Sequence, residues 1–399
     1  MYDEDGDGTV HYDFTILDQN YDAIVEAGHH VLVEIGFTPR DLLPPEAAEL
    51  TVPSSPTVYS AYEAGQWAYS PRDFDRWRDL IAALAAHCLE RYGKEEVDTW
   101  LWELWNEPDI FYWRGTPEQF HELYRVTVEG VRSVLPTAKV GGPAVTGGGT
   151  EFLHDFLAFT AENELPLDFV SFHTKGSSFT PWRVYGPTGG EAPEKQSPSA
   201  HKMLFEVRSM LRVMAQFPQY RTLPAIIDEC DAGVPAHFSF YDNANFRFQN
   251  TEYYPVFQVN LMKKLLDLSD AEGANIQQAT SWSFYFEGER FFEGTRAFLT
   301  ADRIEKPLLN AYRLLAHLGA QRLTHHRIDS GHSNSHTVWQ ALGSPQVPSP
   351  EQLAQIHARE GLEELEPPRR VEVGADGVLA LTVELPLPAV SLLVMERVG

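Results

Sequence analysis

The sequence predicts an α/β fold, a (β/α)8 TIM barrel followed by a small C-terminal β-sandwich. Three observations carry this reading. Strand-like and helix-like stretches alternate at steady spacing, which calls for a parallel sheet covered by helices. No G-x-G-x-x-G follows the first strand, and "GGPAVTGGG" (141–149) lacks dinucleotide or P-loop spacing, which argues against a doubly wound nucleotide binder. Polar and aromatic residues recur at the C-terminal ends of the strands, namely Glu34, Glu107, His173, Glu229 and Trp282. Chemistry gathered from many strand ends is the habit of a barrel.

"DEDGDG" (3–8) has the acidic spacing of a calcium loop, but Phe14 occupies the twelfth position, where a bidentate Glu is required. A hairpin turn at Asp5-Gly6 or Asp7-Gly8 is the better reading. "TILDQNYDAIVEAG" (15–28) reads as a helix stopped by Gly28, and "HVLVEIGF" (30–37) as a buried strand. Residues 74–92 place Phe74, Trp77, Ile81, Leu84 and Cys88 on one helical face, with Gly93 as the stop. After the strand "TWLWELWNEP" (99–108), Thr116, Pro117 and Gln119 form a capping-box start to helix 117–135. Four more units follow, pairing strand 138–145 with helix 150–164, 168–174 with 201–217, 223–230 with 252–271, and 276–286 with 307–319.

This gives six strands of the eight in a barrel, preceded by a lone helix. The barrel is therefore assigned to residues 1–320 and read as N-terminally incomplete, with two strands expected ahead of Met1. The open edge of strand 30–37 would need cover, from the hairpin at 1–13 or from another chain. Residues 321–399 are assigned to the sandwich, since "RVEVGADGVLALTVELPLPAVSLLVMERV" alternates and carries turn residues. The Pro-rich stretch 343–370 reads as a linker or long loop with room for a short helix.

Composition narrows the function. The 31 Lys and Arg stand against 57 Asp and Glu, for a net charge of −26, which argues against nucleic acid or an anionic membrane as partner. No apolar run reaches the length of a membrane span, and no charged-then-apolar leader opens the chain, which favours the cytoplasm. Cys88 and Cys230 are too few for a disulfide framework and read as buried thiols. The adjacent pairs His29-His30 and His325-His326 point their side chains apart, so no metal site is expected. Oligomeric state leaves no mark.

Glu107 ends its strand amid Trp102, Trp105, Phe111, Tyr112 and Trp113. A carboxyl enclosed by indoles loses hydration, and so can stay protonated as a general acid. The plainer alternative is a buried Glu paired with Arg114. Asn106 can hydrogen-bond a sugar hydroxyl, and flat aromatic faces suit the C–H side of a sugar ring. Glycoside cleavage needs a second carboxylate, and Glu229 at the end of "LPAIIDEC" supplies it, three strand steps round the barrel mouth. Alternation turns Asp228 to the opposite face, and Asp231 falls in the following loop. His173, with Ser171 and Lys175 nearby, reads as a ligand contact, Trp282 as a sugar platform, and Glu34 as a structural hydrogen-bonding group.

The stretches "WELWNEPDIFYWRGTPEQF", "AKVGGPAVTG", "DFVSFHTKG", "AIIDEC" and "SWSFYFEGERFFEGTRAFLT…KPLLNAYRLL" resemble glycoside hydrolase family 39, in particular its bacterial β-xylosidases. The resemblance runs from about residue 10 to 320, and it implies a retaining barrel enzyme without metal or organic cofactor. It implies Glu107 as acid/base, Glu229 as nucleophile and Asn106 as partner of the sugar 2-hydroxyl. His173, Trp282 and Glu287 would line the sugar subsite. A β-1,4-linked xylo-oligosaccharide is the expected substrate, with an α-L-iduronidase-like or arabinoside-cleaving specificity as the runner-up. A non-catalytic sugar-binding remnant is the reading from another class.

Overall fold

The computed structural model describes residues 2–48, 65–177, 198–233, 240–241, 244–286, 290–316, 324–366 and 381–394. The chain opens on the expected hairpin. β1 (Tyr2–Glu4) and β2 (Val10–Tyr12) pair antiparallel, Tyr2 facing Tyr12. The turn closes through Gly8 N–H to the Asp5 carbonyl at 2.8 Å, and Gly8 takes a φ of +86°, where a side chain would strain. Six strand–helix steps follow. α1 (Thr15–Glu26) leads into β3 (Leu32–Ile35) and α2 (Phe74–Tyr92); β4 (Leu101–Leu104) leads into α3 (Pro117–Val134). Then come β5 (Lys139–Val145), α4 (Thr150–Glu162), β6 (Phe169–Phe172), α5 (Ala200–Met214), β7 (Ala225–Ile227), α6 (Tyr253–Glu272), β8 (Ile276–Ala279) and α7 (Pro307–Ala316).

Helix limits follow from local chemistry. Asp73 accepts the Arg76 N–H at 3.0 Å to start α2, and Gly93, at φ +79°, ends it. At α3 both capping-box bonds form, Gln119 N–H to Thr116 Oγ1 at 3.2 Å and Thr116 N–H to Gln119 Oε1 at 2.8 Å. Several expected strands shorten, 99–108 to Leu101–Leu104, 223–230 to Ala225–Ile227 and 276–286 to Ile276–Ala279. In the last of these the ladder stops at Ala279, and the Trp282 N–H instead goes to Asp231 Oδ1 at 2.9 Å.

The described residues form two compact units. The first comprises Met1–Thr174, Glu206–Asp228 and Ser269–Gln278, and it holds a six-stranded sheet in the order β8-β7-β6-β5-β4-β3. The registers from β3 to β7 are parallel, with Leu32 beside Leu101, Trp102 beside Val140, Gly141 beside Phe169 and Val170 beside Ala225. On β4, Trp102 and Leu104 lie on one face, and alternation sends the fully buried Glu103 to the other. Outside the sheet α2 and α3 pack closely. A Cβ on Gly130 would lie 2.7 Å from the Arg78 carbonyl oxygen, and Trp77 Nε1 donates to Thr127 Oγ1 at 2.8 Å across the seam. Leu17 and Tyr21 of α1, with Trp77, Leu80 and Leu84 of α2, line a small cavity together with Val33 and Ile35 of β3. The hairpin instead binds past the strand end, where the Glu4 N–H meets Asp41 and the Glu4 carboxylate meets Arg72 at 2.8 Å.

The second unit comprises Lys175–Phe205, Glu229–Leu268 and Ala279–Gly399. It contains a three-stranded antiparallel sheet, with β9 (Thr324–Ile328) between β10 (Glu364–Glu366) and β11 (Val390–Val394). Helices α8 (Ser335–Ala341) and α9 (Pro350–His357) lie within the C-terminal stretch, the latter inside the Pro-rich segment and started by a second capping box at Ser349 and Gln352. Their core gathers Phe291, Phe292, Ile304, Trp339 and Ile356. Residues 367–380, where further sandwich strands were expected, lie outside the described residues. Cys88 and Cys230 are buried and free, and burial pushes the Cys88 thiol up to about 12. Among the described residues no helix is long and apolar enough to cross a membrane.

Replacing Thr116 by Ala removes one side of the α3 capping box and should cost about 1 kcal/mol. A urea unfolding midpoint that shifts down at unchanged slope checks this, and an unmoved midpoint contradicts it.

Candidate active site

In the first unit the chain leaves β4 through a strained turn. Trp105 has φ +71° and Glu107 φ +47°, left-handed conformations that cost on the order of 1–3 kcal/mol each and persist only where surroundings impose them. Here the surroundings are backbone bonds to both neighbouring strand ends. Trp105 N–H donates to the Ile35 carbonyl at 2.8 Å, and Glu107 N–H to the Ala144 carbonyl at 2.9 Å. Beyond the turn, Asp109 accepts the Thr146 N–H at 2.8 Å and its hydroxyl at 2.5 Å. Burial raises the Asp109 pKa, so its hydrogen bonds offset a real desolvation cost.

The aromatic residues around Glu107 have another task than the one the sequence suggested. Trp102, Trp105 and Trp113 are buried, and Trp105 packs edge-on against Phe37 and Trp113 with centroids 5.3 and 5.0 Å away. They build core. The Arg114 guanidinium lies over the Tyr69 ring, 5.5 Å from its centroid. The side chain that meets the Glu107 carboxyl is His173, whose Nδ1 lies 2.8 Å from Oε1. The other ring nitrogen, Nε2, lies 2.9 Å from Asp228 Oδ2. His173 is 1% exposed and follows β6 directly, while Asp228 directly follows β7. Asn106 is half-buried in the same turn.

Behind Asp228 the same unit gathers three carboxyls, because one oxygen each from Glu34, Glu103 and Asp228 lies within 4.8 Å of the others. Burial first, then the charges of Asp228 and Glu34, drive the Glu103 pKa well above the usual carboxylate range. Glu34 is exposed, and it was read from sequence as a structural group.

The second unit holds Glu229 among cations. Its carboxylate is bonded by Lys175 Nζ, and an Arg296 nitrogen lies at 3.4 Å. The fully buried Asp231 shares both, with Lys175 Nζ at 2.5 Å and Arg296 at 3.2 Å. It also accepts the Ser281 hydroxyl at 2.7 Å and the Trp282 N–H at 2.9 Å. Arg296 is 2% exposed, donates to the Gly233 carbonyl at 2.6 Å, and rests over the Trp282 indole at 5.3 Å. Glu287 and parts of the loop 231–250 lie outside the described residues. Glu229 and Trp282 are expected site residues from the sequence, whereas Arg296, which meets both, has no strand-end position to mark it.

Six parallel strands in sequential order, each followed by a helix, with Glu107 after β4 and Asp228 after β7, define a barrel protein of the TIM type. The chain belongs to the glycosyl hydrolases family 39, which matches residues 1–327. It is 32% identical over 332 residues to a β-xylosidase of Geobacillus stearothermophilus, covering 80% of this chain and 59% of that relative. The chain thus spans less than two thirds of that relative's length. An α-L-iduronidase of Mus musculus is 28% identical over 186 residues, covering 40% of this chain and 25% of the relative. The crystal structure of a monomeric β-xylosidase from Caulobacter crescentus CB15 shares the fold at a TM-score of 0.73 and 21% identity, over 98% of this chain and 84% of that one.

Removing one partner of a buried ion pair strands a charge at a cost of about 3–5 kcal/mol. Arg296→Met should therefore lower the urea midpoint far more than Lys94→Ala, which breaks an exposed pair with Asp98. Equal shifts in the two variants would show that Asp231 does not depend on Arg296.

Proposed function

We propose that the protein is a retaining exo-glycosidase that releases β-1,4-linked xylose from xylo-oligosaccharides. The family supports a glycosidase, and the β-xylosidase relative at 32% identity supports xylose. The observation that carries the division of labour is the contrast between the two carboxyls. Glu229 is bonded by Lys175 and Arg296, which supply the counter-charge an ionised nucleophile requires, whereas Glu107 faces the imidazole of His173.

In the first half-reaction Glu107 gives its proton to the leaving oxygen while Glu229 attacks the anomeric carbon, and the C–O bond breaks to leave a glycosyl ester on Glu229. In the second, Glu107 takes a proton from water, which attacks the same carbon and frees both xylose and the Glu229 carboxylate. Protonation and covalent catalysis supply the chemistry without a metal or organic cofactor. Asn106 is assigned to the sugar 2-hydroxyl, and Trp282 and Glu287 to the sugar subsite.

The iduronidase relatives favour a second reading, in which the sugar is a uronate. Its carboxylate would want a cation, and Lys175 and Arg296 are already engaged with Glu229 and Asp231. Comparing hydrolysis of an aryl β-xyloside with an aryl α-L-iduronide decides between them, and turnover of neither would favour a sugar-binding protein without catalysis.

Two substitutions test the carboxyl roles. Glu229→Ala should abolish turnover, and azide should restore slow cleavage with formation of the inverted α-glycosyl azide; unchanged activity removes Glu229 from the mechanism. Glu107→Ala should slow glycosides with poor leaving groups by about 10²–10⁴-fold, since general acid catalysis contributes that much. Activated aryl glycosides should lose less, because their leaving groups need little protonation. Equal losses on both point to another acid.

A further inference from the structure

We propose that Asp228, acting through His173, is a positioning residue for Glu107, an inference that rests on Glu107 being the acid/base. The geometry is a line of three side chains. Asp228 Oδ2 meets Nε2 at 2.9 Å, and Nδ1 meets Glu107 Oε1 at 2.8 Å. A carboxylate only accepts, so Asp228 fixes the hydrogen on Nε2 and turns Nδ1 toward Glu107. An imidazole held by a buried acid keeps one tautomer and one orientation, the logic of acid–histidine pairs generally. His173 is 1% exposed and Asp228 5%, so water offers neither an easy substitute partner.

The carboxyls around this line strengthen the assignment. Glu103 is fully buried, and among the described residues its oxygens make no hydrogen bond to His173. Burial, with the charges of Asp228 and Glu34, drives it toward its neutral form, so it does not compete for the Nε2 hydrogen. Asp228 directly follows β7, and from there its carboxylate meets His173.

The consequence for the reaction is positional. With the hydrogen of His173 on Nε2, Nδ1 is an acceptor, so the protonated Glu107 donates its Oε1 hydrogen to it and the carboxyl is held in one orientation. That proton passes to the leaving oxygen in the first half-reaction and is replaced from water in the second. His173 and Asp228 end each half-reaction with the protons they began with.

The test uses the full chain and two glycosides of one sugar, one with an activated aryl leaving group and one with a poor alkyl leaving group. Asp228→Asn, nearly the same in shape, should lower kcat/KM on the poor substrate by on the order of 10-fold or more, and on the activated one by clearly less. In the double variant with Glu107→Ala, the Asp228 change should add little, because its effect passes through Glu107. Asp228→Ser carries the same comparison should the Asn variant fold poorly. Equal losses on the two substrates, or losses that add to those of Glu107→Ala, would overturn the proposal and leave Asp228 a structural acid. Should Glu107→Ala itself show no leaving-group dependence, the acid assignment fails and the role of Asp228 fails with it. Should only the Asp228 variants lack that dependence, the acid assignment stands alone.

Discussion

A carboxylate taken out of water must be compensated, and much of this molecule is arranged around that demand. In the second unit the demand is set by Asp231, fully buried one residue past Cys230. Four groups answer it: the ammonium of Lys175, the guanidinium of Arg296, the hydroxyl of Ser281 and the backbone of Trp282. They come from three separate stretches of chain. Meeting one charge thus fixes the paths of residues after β6, after β8 and before α7. Glu229 inherits its cations from this arrangement and does not have to recruit its own.

In the first unit the compensation is leaner. Asp228 has an imidazole, Glu103 is driven toward protonation, and Asp109 is held by Thr146. The turn that presents Glu107 is held mainly by backbone, with bonds to the strand ends at Ile35 and Ala144. Parallel strands expose free N–H and carbonyl groups at their ends, and a left-handed turn can use them where a regular loop would not. The strain of Trp105 and Glu107 is therefore met by neighbours whose own place is set by the sheet.

How far the sequence reveals this depends on whether the cause is local. The start of α3 was readable because Thr116, Pro117 and Gln119 are adjacent, and the end of α2 because Gly93 marks it. The strands were readable as short apolar runs, and Glu107 and Glu229 as carboxyls at their ends. The partners of those carboxyls were not readable. Lys175 and Arg296 stand 54 and 67 residues from Glu229, and no local pattern links such positions. Nor could the string show which way the Trp side chains turn. Five aromatic residues near Glu107 suggested an enclosing cage, yet Trp102, Trp105 and Trp113 point into the core, where each contributes about 1.5–3 kcal/mol or more through burial. The shortened β8 has the same origin, since its expected continuation yields a backbone donor to Asp231.

The guanidinium over Trp282 carries a consequence for recognition. An indole offers a ligand two faces, and Arg296 occupies one of them. The cation also draws electron density toward itself, so the opposite face is a poorer partner for C–H groups than an isolated indole. A pyranose resting there would be held less by stacking than by its hydroxyl groups. Discrimination at that ring would then fall on the number and direction of those hydroxyls, and hardly at all on the greasiness of the sugar.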